Sequence, residues 1–119
     1  MQRQEYDLEV RTRKFAVAVI RFVATLPKTT VNDVLSRQLL RSATSIGANY
    51  REACRGASRQ DFIYKIGIVE REAAETQYWL ELCNDTNIGN SEARQALLQE
   101  SGELLAIFTT IGKNAKKRT

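Results

Sequence analysis

The sequence predicts an all-α protein, an antiparallel up-down-up-down four-helix bundle, on three observations. Apolar residues recur in four segments at spacings alternating between 4 and 3, which keeps one stripe of each helix facing a partner. Only six glycines and one proline interrupt 119 residues. No segment shows the strict apolar–polar alternation of a half-buried strand. A chain of this length suits one domain around one shared core, so residues 1–119 are read as a single bundle.

Helix 1 is expected over about residues 8–26. Leu8, Thr12, Phe15, Val19, Phe22 and Leu26 form its stripe, and Pro27 ends it by disfavouring helical geometry in its predecessor. Ala16, Ile20 and Val23 make a second apolar stripe, read either as a subunit interface or as a wide core face. Helix 2 follows over about residues 32–57, with Thr30 or Asn32 as N-cap. Its seam is Leu35, Leu39, Ser42, Ile46, Asn49 and Ala53. Gly47 costs about 1 kcal/mol of helix propensity relative to alanine, which marks a position where a side chain would not fit.

Ser58 is placed to cap helix 3, over residues 59–83, with Asp61 near the positive helix end. Phe62, Ile66, Val69, Ala73, Thr76, Leu80 and Cys83 are its stripe. Helix 4, over residues 91–112, is capped by Ser91 with Arg94 three residues on, and buries Leu97, Ser101, Leu104, Phe108 and Ile111. Gly112 and the basic tail 113–119 are expected to fray. Helices 2 and 3 form a hairpin turning near Ser58, which sets Arg41 opposite Thr76, near Glu72 or Glu75, and Glu52 opposite Lys65.

Histidine is absent and there are two cysteines, so no His/Cys metal cluster, Cys–His pair or Ser-His-Asp triad can be assembled. Glu70, Glu72, Glu75 and Glu81 lack the Glu-x-x-His of a carboxylate metal bundle. No cofactor, metal, small-molecule substrate or catalytic residue is therefore expected, and the protein is read as no enzyme. Cys54 and Cys83 fall about 30 Å apart along the hairpin, too far for a disulfide, and read as reduced, buried thiols of a cytoplasmic protein. No apolar run is long enough to cross a bilayer.

Charge is divided along the chain. Residues 1–59 hold 11 Lys/Arg against 5 Asp/Glu, residues 60–112 hold 3 against 9, and the tail adds four cations. Either the halves attract one another, within or between subunits, or the basic half meets a polyanion. Arg37, Arg41, Arg51, Arg55 and Arg59 form a basic ridge, and Lys116, Lys117 and Arg118 a basic end; arginine's planar fork suits phosphate. The alternative is a solvated or subunit-pairing face. A second row, Gln38, Arg41, Ser45, Asn49 and Glu52, borders the apolar seam and reads as hydrogen bonds and ion pairs fixing helix register, with Asn49 as a seam asparagine. A ligand surface is the other reading. Tyr78, Trp79 and Leu82 read as packing or interface aromatics rather than base-stacking ones.

The stretch from Ser36 to Ala53, with Asp61-Phe62-Ile63-Tyr64-Lys65-Ile66 and the run from Glu72 to Leu82, resembles the bacterial four-helix bundle proteins also called 23S ribosomal RNA intervening-sequence proteins. The family's Ser-Ile-x-x-Asn-x-x-Glu core corresponds to Ser45, Ile46, Asn49 and Glu52. Glu52-Ala53 replaces the commoner Glu-Gly, a departure that bears on the turn rather than on the bundle. The resemblance implies a small cytoplasmic bundle that assembles into a homo-oligomeric, pentameric ring, with no established catalysis. It also implies, by analogy with the accessory protein of diversity-generating retroelements, an association with RNA. Two functions are thus expected: an oligomeric bundle binding RNA or another polyanion through its basic face, or a protein-interaction scaffold whose charge-split halves pair between subunits.

Overall fold

Four helices follow one another in the computed structural model, which describes the backbone of residues 3–117 and the side chains of residues 8–117: α1 (Arg3–Ala24), α2 (Thr30–Cys54), α3 (Arg59–Asp85) and α4 (Ser91–Lys117). The connections are short, so consecutive helices lie antiparallel. Each helix packs on its chain neighbours, and α1 closes the bundle against α4, the least intimate of the four contacts.

The core stripes of α1, α3 and α4 follow the predicted spacing, except that Leu26, Phe62 and Ile111 are only partly buried at the ends. Leu8, Thr12, Phe15, Val19 and Phe22 are buried on α1, Ile66, Val69, Ala73, Thr76, Leu80 and Cys83 on α3, and Leu97, Ser101, Leu104 and Phe108 on α4. On α2 the buried set is Asn32, Leu39, Ser42, Ala43, Ile46, Tyr50 and Ala53, while Leu35 is only partly buried. Asn49 is therefore no seam residue: it stays half-buried and donates Nδ2 to the Ser45 carbonyl at 2.9 Å. Tyr50 takes the inner position, with its ring 5.2 Å from that of Phe108 across the bundle.

Several ends differ from expectation. α1 stops at Ala24 rather than at residue 26, because Thr25 and Leu26 tighten into i→i−3 bonds onto Phe22 and Val23 ahead of Pro27. Thr29, not Thr30 or Asn32, caps α2, its hydroxyl accepting from the Asn32 N–H at 3.0 Å. α2 ends at Cys54, three residues short of residue 57, where Arg55 and Gly56 bond back to Glu52 and Ala53. Ser58 caps α3 as predicted, and α3 runs on to Asp85. Asn90 rather than Ser91 caps α4, accepting from the Ala93 N–H at 2.8 Å. α4 continues through Lys117 instead of fraying at Gly112; lysines in its last turn complement the helix dipole.

Two glycines are needed for contact or conformation. A Cβ on Gly47 would sit 3.0 Å from the Thr12 hydroxyl of α1, so this glycine lets α1 and α2 approach, as its helix cost suggests. Gly89, in the α3–α4 connection, has φ +80° and lies against the Phe22 ring. Among the described residues no helix is long and apolar enough to cross a membrane.

Candidate nucleic-acid interface

The antiparallel order brings the end of α2, the start of α3 and the end of α4 to one pole of the bundle. Five of the predicted basic residues meet there: Arg51, Arg55, Arg59, Lys116 and Lys117, all exposed. Arg59 donates to the Ala115 carbonyl at 3.3 Å, which ties the α3 start to the α4 end. Arg51 and Arg55 both reach Glu9 of α1, at 3.7 and 3.2 Å. One carboxylate thus serves two guanidiniums, each more than half exposed, and the pair keeps positive charge to offer. Lys113, exposed one turn before Lys116, belongs to the same pole, although the tail composition alone did not single it out.

The rest of the ridge does not join this pole. Arg41 lies midway along the bundle, bonded to Glu75 of α3 at 2.6 Å and to Gln38 at 3.2 Å. Arg37 is exposed and, among the described residues, in no ion pair, but it stands 18 residues and about 27 Å from Arg55 along α2. Arg118 lies outside the described residues. The five predicted cations together with Lys113 form the candidate interface, rather than a continuous ridge.

The polar row is occupied with holding the hairpin. Arg41 meets Glu75, and Glu52 accepts from Lys65 at 2.5 Å, both as the hairpin register predicts. The Glu52 contact raises the Lys65 pKa. Ser45 donates to the Arg41 carbonyl at 2.7 Å and Asn49 to that of Ser45, so Gln38, Arg41, Ser45, Asn49 and Glu52 are spent on α2 itself or on α3. Just inside them, the buried Ser42 and Thr76 hydroxyls hydrogen-bond at 2.8 Å.

Opposite charges pair within the chain on the other side as well. Arg11 bonds Glu100 at 2.6 Å and Glu103 at 2.6 Å, fastening α1 to α4. The Glu100 hydrogen bond is the main reason the Arg11 guanidinium is held above its usual range. Gln99 and Arg11 together hold the Glu103 carboxyl below its own. Part of the charge division in the sequence is therefore resolved within the chain itself.

Two cysteine expectations separate. Neither residue forms a disulfide, but Cys54 is exposed at the end of α2 while Cys83 is buried on α3. Burial pushes the Cys83 thiol up, and the nearby Arg94 charge pulls the other way. Among the described residues no group of three or more His, Cys, Asp or Glu is placed to hold a metal ion.

The sequence places Arg94 only in the first turn of helix 4, with no role of its own. It is buried, and it donates to Asn84 Oδ1 at 2.9 Å and to the carbonyls of Ile88 and Gly89 at 3.0 and 2.9 Å. The signal was its phase: it stands three residues before Leu97, on the α4 core stripe.

A family model described as 23S rRNA-intervening sequence protein matches residues 4–110. Among solved structures, a protein of unknown function from the S23 ribosomal protein family of Bacteroides thetaiotaomicron aligns with a TM-score of 0.83 and 38% identity, over 92% of this chain and 97% of that one. Nothing among curated proteins matches this chain.

Proposed function

The chain belongs to the 23S rRNA-intervening sequence protein family, and from that premise we propose that it is a non-enzymatic, cytoplasmic, self-assembling bundle of bacterial origin that binds RNA through its basic pole. The observation that carries this reading is the convergence of Arg51, Arg55, Arg59, Lys116 and Lys117 on one end of the bundle, where a single Glu9 carboxylate is shared by two arginines. Phosphates are what such a pole suits, because planar guanidinium forks and ammonium groups match phosphate oxygens. The pole thus binds by charge, and the shape of the RNA decides where. A pentameric ring, as the family resemblance implies, would repeat the pole around an axis and multiply its affinity.

The test is RNA binding over a salt series, with a structured ribosomal RNA fragment and a scrambled control. Affinity at near-physiological salt is expected, falling with a log–log slope of about 0.7–0.9 per phosphate neutralised. Reversing Arg51, Arg55 and Arg59 to glutamate is expected to abolish binding while helicity and assembly mass stay unchanged. Wild-type protein that binds neither RNA at low salt, or a reversed variant that binds as before, would remove the reading.

A further inference from the structure

The loosest side of the bundle is a groove of about 900 Å³ between α1 and α4. Its floor is apolar: Phe15 and Phe22 of α1 and Leu97 of α4 are buried along it, and Val17 lines it at 40% exposure. Beside Leu97, α4 contributes Ala93 and Ala96, side chains short enough for a further helix to come close. The lining runs from Arg11 to Thr25 on α1, about 21 Å at the common rise per residue, or close to four turns of helix.

The free charge around the groove has one sign. Arg13, Lys14 and Arg21 line its α1 side, all exposed and, among the described residues, in no ion pair or side-chain hydrogen bond. Among the described residues the one carboxylate on the lining, Glu100, is already bonded to Arg11 through both oxygens, at 2.6 and 2.9 Å. Lys14 and Arg21 stand two turns, about 10.5 Å, apart along one edge, with Val17 between them.

An apolar floor beside a row of unpaired cations suits an amphipathic acid. RNA fits it poorly, because a solvated phosphate backbone would cover the floor without burying apolar surface of its own. A helix fits it when an apolar stripe at i, i+3 or i+4 and i+7 fills the floor and carboxylates two turns apart follow one flank. The exposed faces of this chain do not supply such a helix. Each helix turns its apolar stripe to its own core, and on α3 the exposed large apolar side chains are Tyr64 and Tyr78, about 21 Å apart.

We infer that the α1–α4 groove receives an acidic amphipathic helix of a different protein, its apolar stripe over Val17, Ala93 and Ala96 and its carboxylates on Lys14 and Arg21. Docking there is independent of RNA. α1 runs away from the basic pole and α4 runs toward it, so the later part of α1 and the start of α4 place the groove toward the other end of the bundle.

The experiment is fluorescence anisotropy of three labelled peptides of about 14 residues, four turns of helix, with the full chain. One carries a leucine stripe flanked by glutamates, the second the same stripe flanked by lysines, and the third is the acidic peptide scrambled to destroy the stripe. The acidic amphipathic peptide is expected to bind at least about tenfold more tightly than either control, since like charges on the rim repel and a scrambled stripe leaves the floor uncovered. A groove variant, Lys14→Glu with Arg21→Glu, is expected to reverse the preference and bind the lysine peptide, a gain that a misfolded chain would not give. The pole variant reversed at Arg51, Arg55 and Arg59, which is expected to lose RNA, should bind the acidic peptide as wild type does, so the two readings fail separately. Scrambled and striped peptides binding alike, or a groove variant with unchanged preference, would overturn the inference. A groove variant of lower assembly mass by light scattering would give the groove to a second copy of the chain, and would overturn it as well.

Discussion

At Arg94 a guanidinium sits 5% exposed with two main-chain carbonyls and the Asn84 amide oxygen as its partners, rather than a carboxylate. All three acceptors belong to the end of α3 and the loop that follows it, so this one side chain holds the α3–α4 connection onto the α4 start. Arg94→Ala would leave part-buried acceptors without this donor, each worth about 1–3 kcal/mol when fully buried, and a total loss of roughly 1–3 kcal/mol is expected by urea denaturation. Arg94→Lys keeps the charge but not the fork, and should fall between the two. At Asn49, by contrast, a polar residue expected to specify register proves to serve only its own helix, bonding back to Ser45. A substitution there touches no other helix through that bond.

On the scale of one helix or loop, the same change at two glycines should act in opposite directions. A Cβ on Gly89 would meet two Phe22 ring atoms at 2.6 Å, at a φ of +80°. Gly89→Ala therefore combines a left-handed backbone penalty of about 1–2 kcal/mol with overpacking of about 1–3 kcal/mol against a core ring. Gly67, inside α3, has nothing within 4 Å of its would-be Cβ, and Gly67→Ala should stabilise by up to about 1 kcal/mol through helix propensity. Thermal melts of the two variants check both signs. Positions like these show how far the sequence could be read. Stripes in strict phase, as on α3 from Ile66 to Cys83, were legible because burial on that helix follows one seam. The exchange of Asn49 for Tyr50 was not, because the buried face of α2 is wider than one seam: it packs on both α1 and α3, and an α-helix drifts against a 3.5-residue repeat. The end of α4 was hidden for another reason. A lysine-rich tail reads as solvated chain, yet at a helix C-terminus the same charges favour the helix. The basic pole needed the topology, since Arg59 and Lys116 are remote in sequence and the α3 start meets the α4 end only once the bundle closes.

Across the whole molecule, the division of charge along the chain becomes a set of ties between helices, and one of them spans the loosest side. α1 meets α4 less closely than any other neighbouring pair, and Arg11 with Glu100 and Glu103 spans that side. The Glu103 carboxyl titrates below its ordinary 4.5, chiefly through the Gln99 hydrogen bond and next through that of Arg11. A carboxyl whose folded pKa is lowered contributes stability above its unfolded pKa, and that contribution is lost as the pH falls through the folded value. Above about pH 5 the Glu103 contribution is therefore complete, and acidification through the ordinary carboxylate range should remove it and weaken the α1–α4 side. The α1–α4 groove would then open onto Phe15 and Phe22, which bind an apolar dye when exposed. Melting temperature against pH, read for wild type and for Glu103→Gln, tests this. The variant should melt lower at neutral pH, and the two curves should converge in acid, where wild type has also lost the charge. Parallel curves with a constant gap would assign the variant's loss to packing, and the acid sensitivity of the bundle to other carboxyls.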